Sequence, residues 1–305
     1  MIAPELRAEL EAALPGAIRF DVPASKLTSL RVGGPVDALA TPPDRASLAR
    51  LLALCARHGL RRRVIGRGFN TIVRDEGVDG VLIQLSALKR LEERPDGCLR
   101  VEAGVSHASL MRFCREHGLS GLEFGAGIPG SIGGWIAMNA GIPDRETKDA
   151  VREIEVMSPS GAKLRHLPRA RLGFRYRGLF GLAPGSLILS ALLEVRPASR
   201  HSVAETIDQL LARRAATQPL DVPSCGSVFK NPRGSYAGRL IEAAGLKGER
   251  HGGAQISSLH ANFIVNTGGA SASDVLALIG HARAAVRVRT GVLLEPEVRI
   301  WGRST

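Results

Sequence analysis

Residues 123–141 read EFGAGIPGSIGGWIAMNAG, with six glycines, one proline and one tryptophan in nineteen positions. A run this dense in glycine implies a backbone that must approach something side chains would obstruct. The six residues from Gly125, GAGIPG, satisfy the dinucleotide pattern G-x-G-x-x-G, which needs a strand directly before it and a helix opening inside it. Here the preceding residues are EHGLSGLEF, and Pro129 is followed by further glycines. The acidic residue expected at the end of a second strand is also missing, because MNAGIPDRETKD continues as polar loop. The Rossmann reading fails. What survives is the chemistry of glycine, which lets amides close on an anion and cradle phosphate oxygens. A second such turn lies in VIGRGFNTIVRDEGVDG at 64–80. Two glycine turns can grasp one diphosphate from both sides, although either alone is equally well explained as a tight turn.

Working outward, 305 residues with 44% hydrophobic content suit a globular chain of two or three domains. No apolar run is long enough to span a bilayer, and the opening MIAPELRAELEAAL carries Glu5, Glu9 and Glu11 where a signal peptide would be basic and then apolar. A cytoplasmic protein is expected. Cys55, Cys98, Cys114 and Cys225 are scattered without metal-ligand spacing, so reduced thiols and no metal are expected. The net charge of +12 suits anionic partners, but the basic residues are spread along the chain and aromatics amount to 4%, which argues against nucleic acid. No long apolar stripe is left unassigned, and a monomer is expected.

Helix and strand patterns alternate. DRASLARLLALCARH (44–58), SHASLMRFCREHG (106–118), VAETIDQLLARRAATQP (203–219) and SASDVLALIGHARAAVRVRTG (271–291) have helical apolar spacing. Ser106 is placed to cap the second, and Ser271 with Asp274 forms a capping box on the last. RVIG (63–66), GVLIQL (80–85), LRVEAGV (99–105) and SLILSALLEVRP (186–197) read as strands, and EIEVMSPSGAKLRHL (153–167) as a hairpin. ANFIVN (261–266) and LLEPEVRIWG (293–302) bracket the last helix as a strand, helix, strand unit. Pro197 marks a boundary, with domains expected at 1–198 and 199–305.

Along most of its length the chain resembles the UDP-N-acetylenolpyruvoylglucosamine reductases, flavoenzymes of bacterial cell-wall synthesis. The resemblance lies in TSLRVGGP (28–35), IGRGFNTIVRDEGVDGVLI (65–83), GAGIPGSIGGWIAMNAG (125–141), FRYRG (174–178), PSCGSVFKNP (223–232), AGRLIEAAGLKG (237–248), GGAQISSLHANFIVN (252–266) and LEPEVRIWG (294–302). Their order and spacing are those of the family, which is far more specific than any one motif. The short segment after Arg177 fits the family's compact type, without its inserted substrate-covering loop.

The resemblance implies an α+β fold: an FAD-binding domain of the vanillyl-alcohol-oxidase (PCMH) type in two α/β subdomains, about 1–86 and 87–198, and a C-terminal α+β substrate domain. It implies non-covalent FAD, NADPH as co-substrate, and reduction of UDP-N-acetylglucosamine enolpyruvate. Cofactor contacts are expected from Gly66, Arg67, Gly68, Phe69, Asn70 and Thr71 in one turn, and from Gly125, Gly127, Ile128, Pro129, Gly130, Ser131, Gly133, Gly134, Asn139, Ala140 and Gly141 in the other. Phe69 stands where the family usually has serine, Arg175 where it has glycine, and Leu179 where serine is common.

Three residues match the family's catalytic groups. Arg177 would pair with the substrate carboxylate through a guanidinium that stays protonated. Ser227 would donate the proton, and Glu297 would assist; Glu295, two positions away, would share its face on a strand. Tyr176, Lys230, Asn231, Arg239, Gln255 and His260 are expected to bind substrate. Cys225 has no base paired with it in sequence and reads as a small packed residue. Two other readings stay open: a different oxidoreductase on the same scaffold, or a nucleotide-binding module without activity.

Overall fold

Asp44 accepts the Ser47 amide at 2.7 Å and starts a helix whose leucines lie on one buried face, as its spacing predicts. The computed structural model describes residues 2–303. By contact density the chain divides into two units, neither of which is one continuous segment. The first comprises Met1–Phe20, Ala38–Gly66 and Gly80–Arg213, and the second Asp21–Asp37, Arg67–Asp79 and Arg214–Thr305.

The helices α1 (Pro4–Ala13) and α2 (Arg45–Arg57) accompany a four-stranded sheet in the order Ile18–Pro23, Pro35–Ala40, Val78–Ile83, Arg62–Val64. Leu10, Leu48, Leu51, Leu52, Val81 and Ile83 close into one core there. A five-stranded antiparallel sheet follows, ordered Leu164–Pro168, Val151–Met157, Leu187–Glu194, Cys98–Glu102, Leu91–Arg94. Its second core includes residues of α3 (His107–His117) and α4 (Ile132–Met138), with Trp135 and Phe124 among the buried rings. Ser106 caps α3 by accepting the Ser109 amide, and Gly118 ends it in the left-handed conformation. The expected hairpin forms between 151–157 and 164–168. The division between units falls inside α5 (Arg200–Thr217).

In the second unit, α6 (Ala237–Ala243) and α7 (Ala272–Thr290) pack with a sheet ordered Ser224–Ser227, Phe263–Asn266, Ala254–Ile256, Arg250–His251. The capping box of Ser271 and Asp274 is present. Asp75 adds a distant cap, accepting the amides of Ala272 and Ser273 at 2.8 Å each and the Ser273 hydroxyl at 2.7 Å. Burial opposes ionisation of Asp75, yet these donors hold its carboxyl below the ordinary range. The expected strand, helix, strand unit is corrected here. In LLEPEVRIWG only Arg299–Trp301 is strand, and it pairs in parallel with Thr71–Val73, not with the sheet that holds Phe263–Asn266. Before it, Pro296 forms only an isolated antiparallel bridge with Phe229, and Glu295 and Glu297 flank it on otherwise irregular chain.

A buried ionic cluster crosses the first unit. Arg45 reaches Glu102 at 2.6 Å and Glu155 at 2.9 Å, Ser190 donates to Glu155 at 2.7 Å, and the Arg90 amide donates to Glu102 at 2.8 Å. Both carboxylates are buried. Burial opposes ionisation of Glu155, but the Ser190 hydroxyl and Arg45 hold it below its ordinary value. Removing Arg45 leaves two buried anions, so Arg45→Met is expected to lower unfolding free energy by about 3–5 kcal/mol in urea titrations at neutral pH. Because the Glu155 carboxyl is depressed in the folded state, its contribution is present above the unfolded carboxylate range and is lost as pH falls. The Met variant should accordingly narrow its deficit in acid.

Candidate active site

In the glycine-rich stretch the structure separates two kinds of glycine. A Cβ on Gly125 would meet the Trp135 ring at 2.1 Å, and one on Gly133 would meet the Ala103 Cβ at 2.9 Å. Those positions are reserved for packing, and Trp135 is fixed further by its indole N–H donating to the Ile128 carbonyl at 3.3 Å. Gly130 (φ +125°) and Gly134 are different: the nearest neighbours of a Cβ there would lie 3.9 Å away, an ordinary van der Waals contact, so neither position is closed by packing. The amides of Ala126, Ile128, Ile132 and Gly133 are taken by main-chain carbonyls, whereas those of Gly127 and Gly130 donate to no protein acceptor among the described residues.

Ser131 is buried, and its hydroxyl would lie 2.9 Å from a Cβ at Gly66. Gln84 holds the Gly66 carbonyl at 3.0 Å. The two glycine turns singled out in the sequence thus meet at Gly66 and Ser131. Open glycine surface and two uncommitted amides fit the diphosphate of a nucleotide cofactor. Pro129 and Ile128 are half-buried beside these glycines, and Ala140 and Gly141 continue past α4.

The Asn139 side chain is bonded within the protein. Wholly buried, it donates to Glu146 at 2.9 Å and to the Arg175 carbonyl at 3.0 Å, and accepts the Lys148 amide at 2.9 Å. Its amide is committed within the protein. One of those bonds anchors the hairpin of Gly173–Arg175 and Gly178–Phe180, whose two-residue loop is Tyr176 and Arg177. Arg177 adopts φ +55°, a conformation costing a non-glycine residue about 1–2 kcal/mol, and its guanidinium lies 4.8 Å from the centre of the Tyr176 ring.

In the second unit, Asn70 donates to the Glu297 carbonyl at 3.2 Å, and its own carbonyl accepts the Arg299 amide at 3.1 Å. The Glu297 amide donates to Val228 at 2.8 Å, which sets Glu297 beside the chain leaving Ser227. The Ser29 hydroxyl lies 3.1 Å from the Gly68 carbonyl and 2.6 Å from that of Ser224. Arg67 is exposed, Phe69 half-buried and Thr71 buried in its strand. Glu295 pairs with Lys230 at 2.5 Å. Cys225 is buried, and desolvation pushes its thiol up to about 12, which removes it as a nucleophile.

Ser227, Asn231, Tyr236, Arg239, Glu242 and His260, with Gly238 and Asn262, line a pocket of about 340 Å³. Four residues expected from sequence, Ser227, Asn231, Arg239 and His260, therefore share one space. Asn231 also accepts the Ala237 amide at 3.0 Å and so opens α6. Gln255 is not among the lining residues; it donates to the Gly248 carbonyl at 3.0 Å. Sequence reading missed Tyr236, Glu242 and Asn262. Asn262 is 4% exposed and holds Phe229 on both sides, accepting its amide at 2.9 Å and donating to its carbonyl at 2.8 Å, while its own carbonyl takes the Val228 amide at 2.8 Å. An asparagine inside the apolar run of ANFIVN was the available signal.

Residues 36–166 match a family model described as an FAD binding domain, and 218–301 match the C-terminal domain of UDP-N-acetylenolpyruvoylglucosamine reductase. The enzyme of that name from Geobacter metallireducens is 44% identical over 98% of this chain and 98% of its own. The one from Anaeromyxobacter dehalogenans is 45% identical over 92% of this chain and 85% of its own. The solved reductase of Thermus caldophilus, 35% identical, matches with a TM-score of 0.81 over 93% of this chain and 99% of that one. An alkyldihydroxyacetonephosphate synthase, 19% identical, shares the fold over 65% of this chain and 41% of its own at a TM-score of 0.50. The FAD-binding part has the vanillyl-alcohol-oxidase type of α+β fold.

The two kinds of glycine are separable by substitution. Gly125→Ala forces the Trp135 ring to move and is expected to lower the thermal midpoint whether or not flavin is present. Gly134→Ala, on an exposed helical position, should raise apoprotein stability by about 0.5–1 kcal/mol while weakening flavin retention, measured by flavin fluorescence on dilution. Equal effects of the two on the apoprotein would contradict the distinction.

Proposed function

Because the chain belongs to the UDP-N-acetylenolpyruvoylglucosamine reductase family, and is thereby an FAD-binding oxidoreductase of peptidoglycan precursor synthesis, we propose that it reduces UDP-N-acetylglucosamine enolpyruvate to UDP-N-acetylmuramate with electrons from NADPH. Non-covalently bound FAD would supply hydride transfer, receiving a hydride from NADPH and passing it on from N5. The Gly127 and Gly130 amides, with Gly66 and Ser131 beside them, would hold its diphosphate.

The substrate is an enol ether whose double bond is conjugated with a carboxylate. Hydride addition at the terminal vinyl carbon places negative charge on the carbon bearing the carboxylate. Arg177 would bind that carboxylate and draw the charge outward; a guanidinium suits this because it stays charged and pairs in a bidentate manner. Ser227 would deliver the proton to the same carbon, completing the saturated ether. A serine hydroxyl is a weak acid, so its effect depends on being held over the developing carbanion. Glu297, fixed by its main-chain bonds to Asn70 and Val228, would help polarise the carboxylate or return the proton to Ser227. Asn231, Arg239 and Tyr236 would bind polar and anionic parts of the nucleotide sugar, with Tyr176 and Lys230 further candidates.

The observation that carries this reading is the cavity in which Ser227 stands with Asn231, Arg239 and His260, drawn from distant segments of one unit. We place the reaction in the cytoplasm, catalysed by a monomer acting on small molecules rather than nucleic acid. Among the described residues no helix is long and apolar enough to cross a membrane.

The test is NADPH oxidation dependent on UDP-N-acetylglucosamine enolpyruvate by flavin-loaded protein. Oxidation with a different acceptor and none with this one would sink the assignment in favour of another oxidoreductase. Stopped-flow absorbance should show Ser227→Ala reducing its flavin with NADPH at near the original rate, while reoxidation by substrate slows by roughly 10²–10⁴-fold. Arg177→Lys should also impair the second step, since an ammonium cannot reproduce the bidentate pair.

A further inference from the structure

A short path of hydrogen bonds runs from a titratable ring to the segment that bears Ser227. His260 Nδ1 accepts the Asn262 amide at 3.2 Å, an i to i+2 bond of the kind an Asx turn makes. Its ring meets Phe263 edge to face, with centroids 4.8 Å apart and planes at 61°. On α6, a Cβ at Gly238 would lie 3.2 Å from the ring's Cε1, so a larger residue there would crowd the imidazole. Asn262 in turn makes the three bonds that fix Val228 and Phe229, immediately after Ser227. The Ser227 register opposite Phe263 closes the circuit.

We propose that His260 is a positioning residue for Ser227: its neutral ring, through Asn262, holds the Ser227–Phe229 segment in place, and a proton on Nδ1 releases it. The inference rests on the role proposed above for Ser227. Nδ1 accepts a bond only while it lacks a proton; once protonated, two N–H groups face each other and the Asn262 amide must turn away. The titratable and charged groups around the ring are Tyr236, Arg239 and Glu242 on or beside α6, and Lys247 beyond it, which pairs with Glu242 at 2.7 Å. Burial drives the imidazole toward neutrality; the ring's hydrogen bond with its own backbone opposes this, Lys247 adds to it and Glu242 opposes it, and burial prevails. The folded state thus prefers the neutral ring, and the stabilisation of the turn is present above the ordinary histidine range and lost as pH falls through the folded-state value.

A direct substrate contact by His260 predicts something else, a rise in KM with kcat kept. Three proteins separate the two: the full-length flavoenzyme, His260→Ala and His260→Asn. The asparagine side-chain oxygen can stand where Nδ1 stands and accept the Asn262 amide without titrating. Expected for His260→Ala is a fall in kcat of about tenfold with little change in the rate of flavin reduction by NADPH. His260→Asn should recover most of the lost kcat and lack the acid limb of the kcat profile. A readout independent of turnover is amide hydrogen exchange at Val228 and Phe229, corrected for intrinsic rates. Protection should decline in acid for the parent protein and stay level for His260→Asn. An acid limb retained in His260→Asn, an effect of His260→Ala confined to KM, or pH-independent protection in the parent would each overturn the proposal. Failure of the parent to consume the enolpyruvyl substrate would instead strike the assigned reaction, and the exchange measurement would still decide the role of the ring.

Discussion

Asp75 accepts three hydrogen bonds from the first turn of α7, across nearly two hundred residues of chain. Around it, Thr71–Val73 lies parallel to Arg299–Trp301, and Asn70 grips both sides of the Glu297 segment. These contacts make a glycine turn from the first third of the sequence part of the same compact body as the C-terminal residues. The position of Glu297 follows from them. It lies on irregular chain, so its place is set by neighbours on both flanks rather than by the regularity of a strand.

The cavity beside Ser227 rests on a similar economy of polar groups. The Asn262 side chain and main-chain carbonyl are bonded to Phe229 and Val228, directly after the strand that ends at Ser227, while its amide donates to the His260 ring. His260 has one ring nitrogen engaged inward while its ring lines the cavity. In the proposed role a weak acid such as serine depends on its aim, and the residues directly after Ser227 are held by buried amide chemistry. The same logic separates Cys225 from its neighbour two positions on. Full burial that makes a packed thiol inert is compatible with holding a strand still.

Much of this was legible in the residues. Ser106 and the Ser271–Asp274 pair announced two helix starts, because capping is local and acts through short side chains. Failure of the dinucleotide pattern was legible as well, since the flanking strand and helix it needs are local features. Pairing of Arg299–Trp301 with Thr71–Val73 was not, because no short-range pattern encodes a partner 228 residues away. Nor could sequence tell Gly125 from Gly134. One leaves room for an indole and the other could hold a Cβ without a clash, and both are written as the same letter. Asn139 was expected at the cofactor, yet its side chain is spent on Glu146, Lys148 and Arg175. A buried asparagine after a helix carries no mark of whether its partners will be ligand or protein.

Discontinuity of the second unit carries a consequence for biosynthesis. Residues 67–79 leave the ribosome long before Arg299–Trp301, and their strand partner does not exist until some 220 further residues have been added. At typical elongation rates that is a wait on the order of ten seconds or more, far longer than a hairpin or helix takes to form. During it, Thr71–Val73 presents an unpaired edge in the nascent chain, close to the glycines of the first turn. The edge is covered only once Arg299–Trp301 has been made, which ties the shaping of the second unit to two of its most widely separated segments.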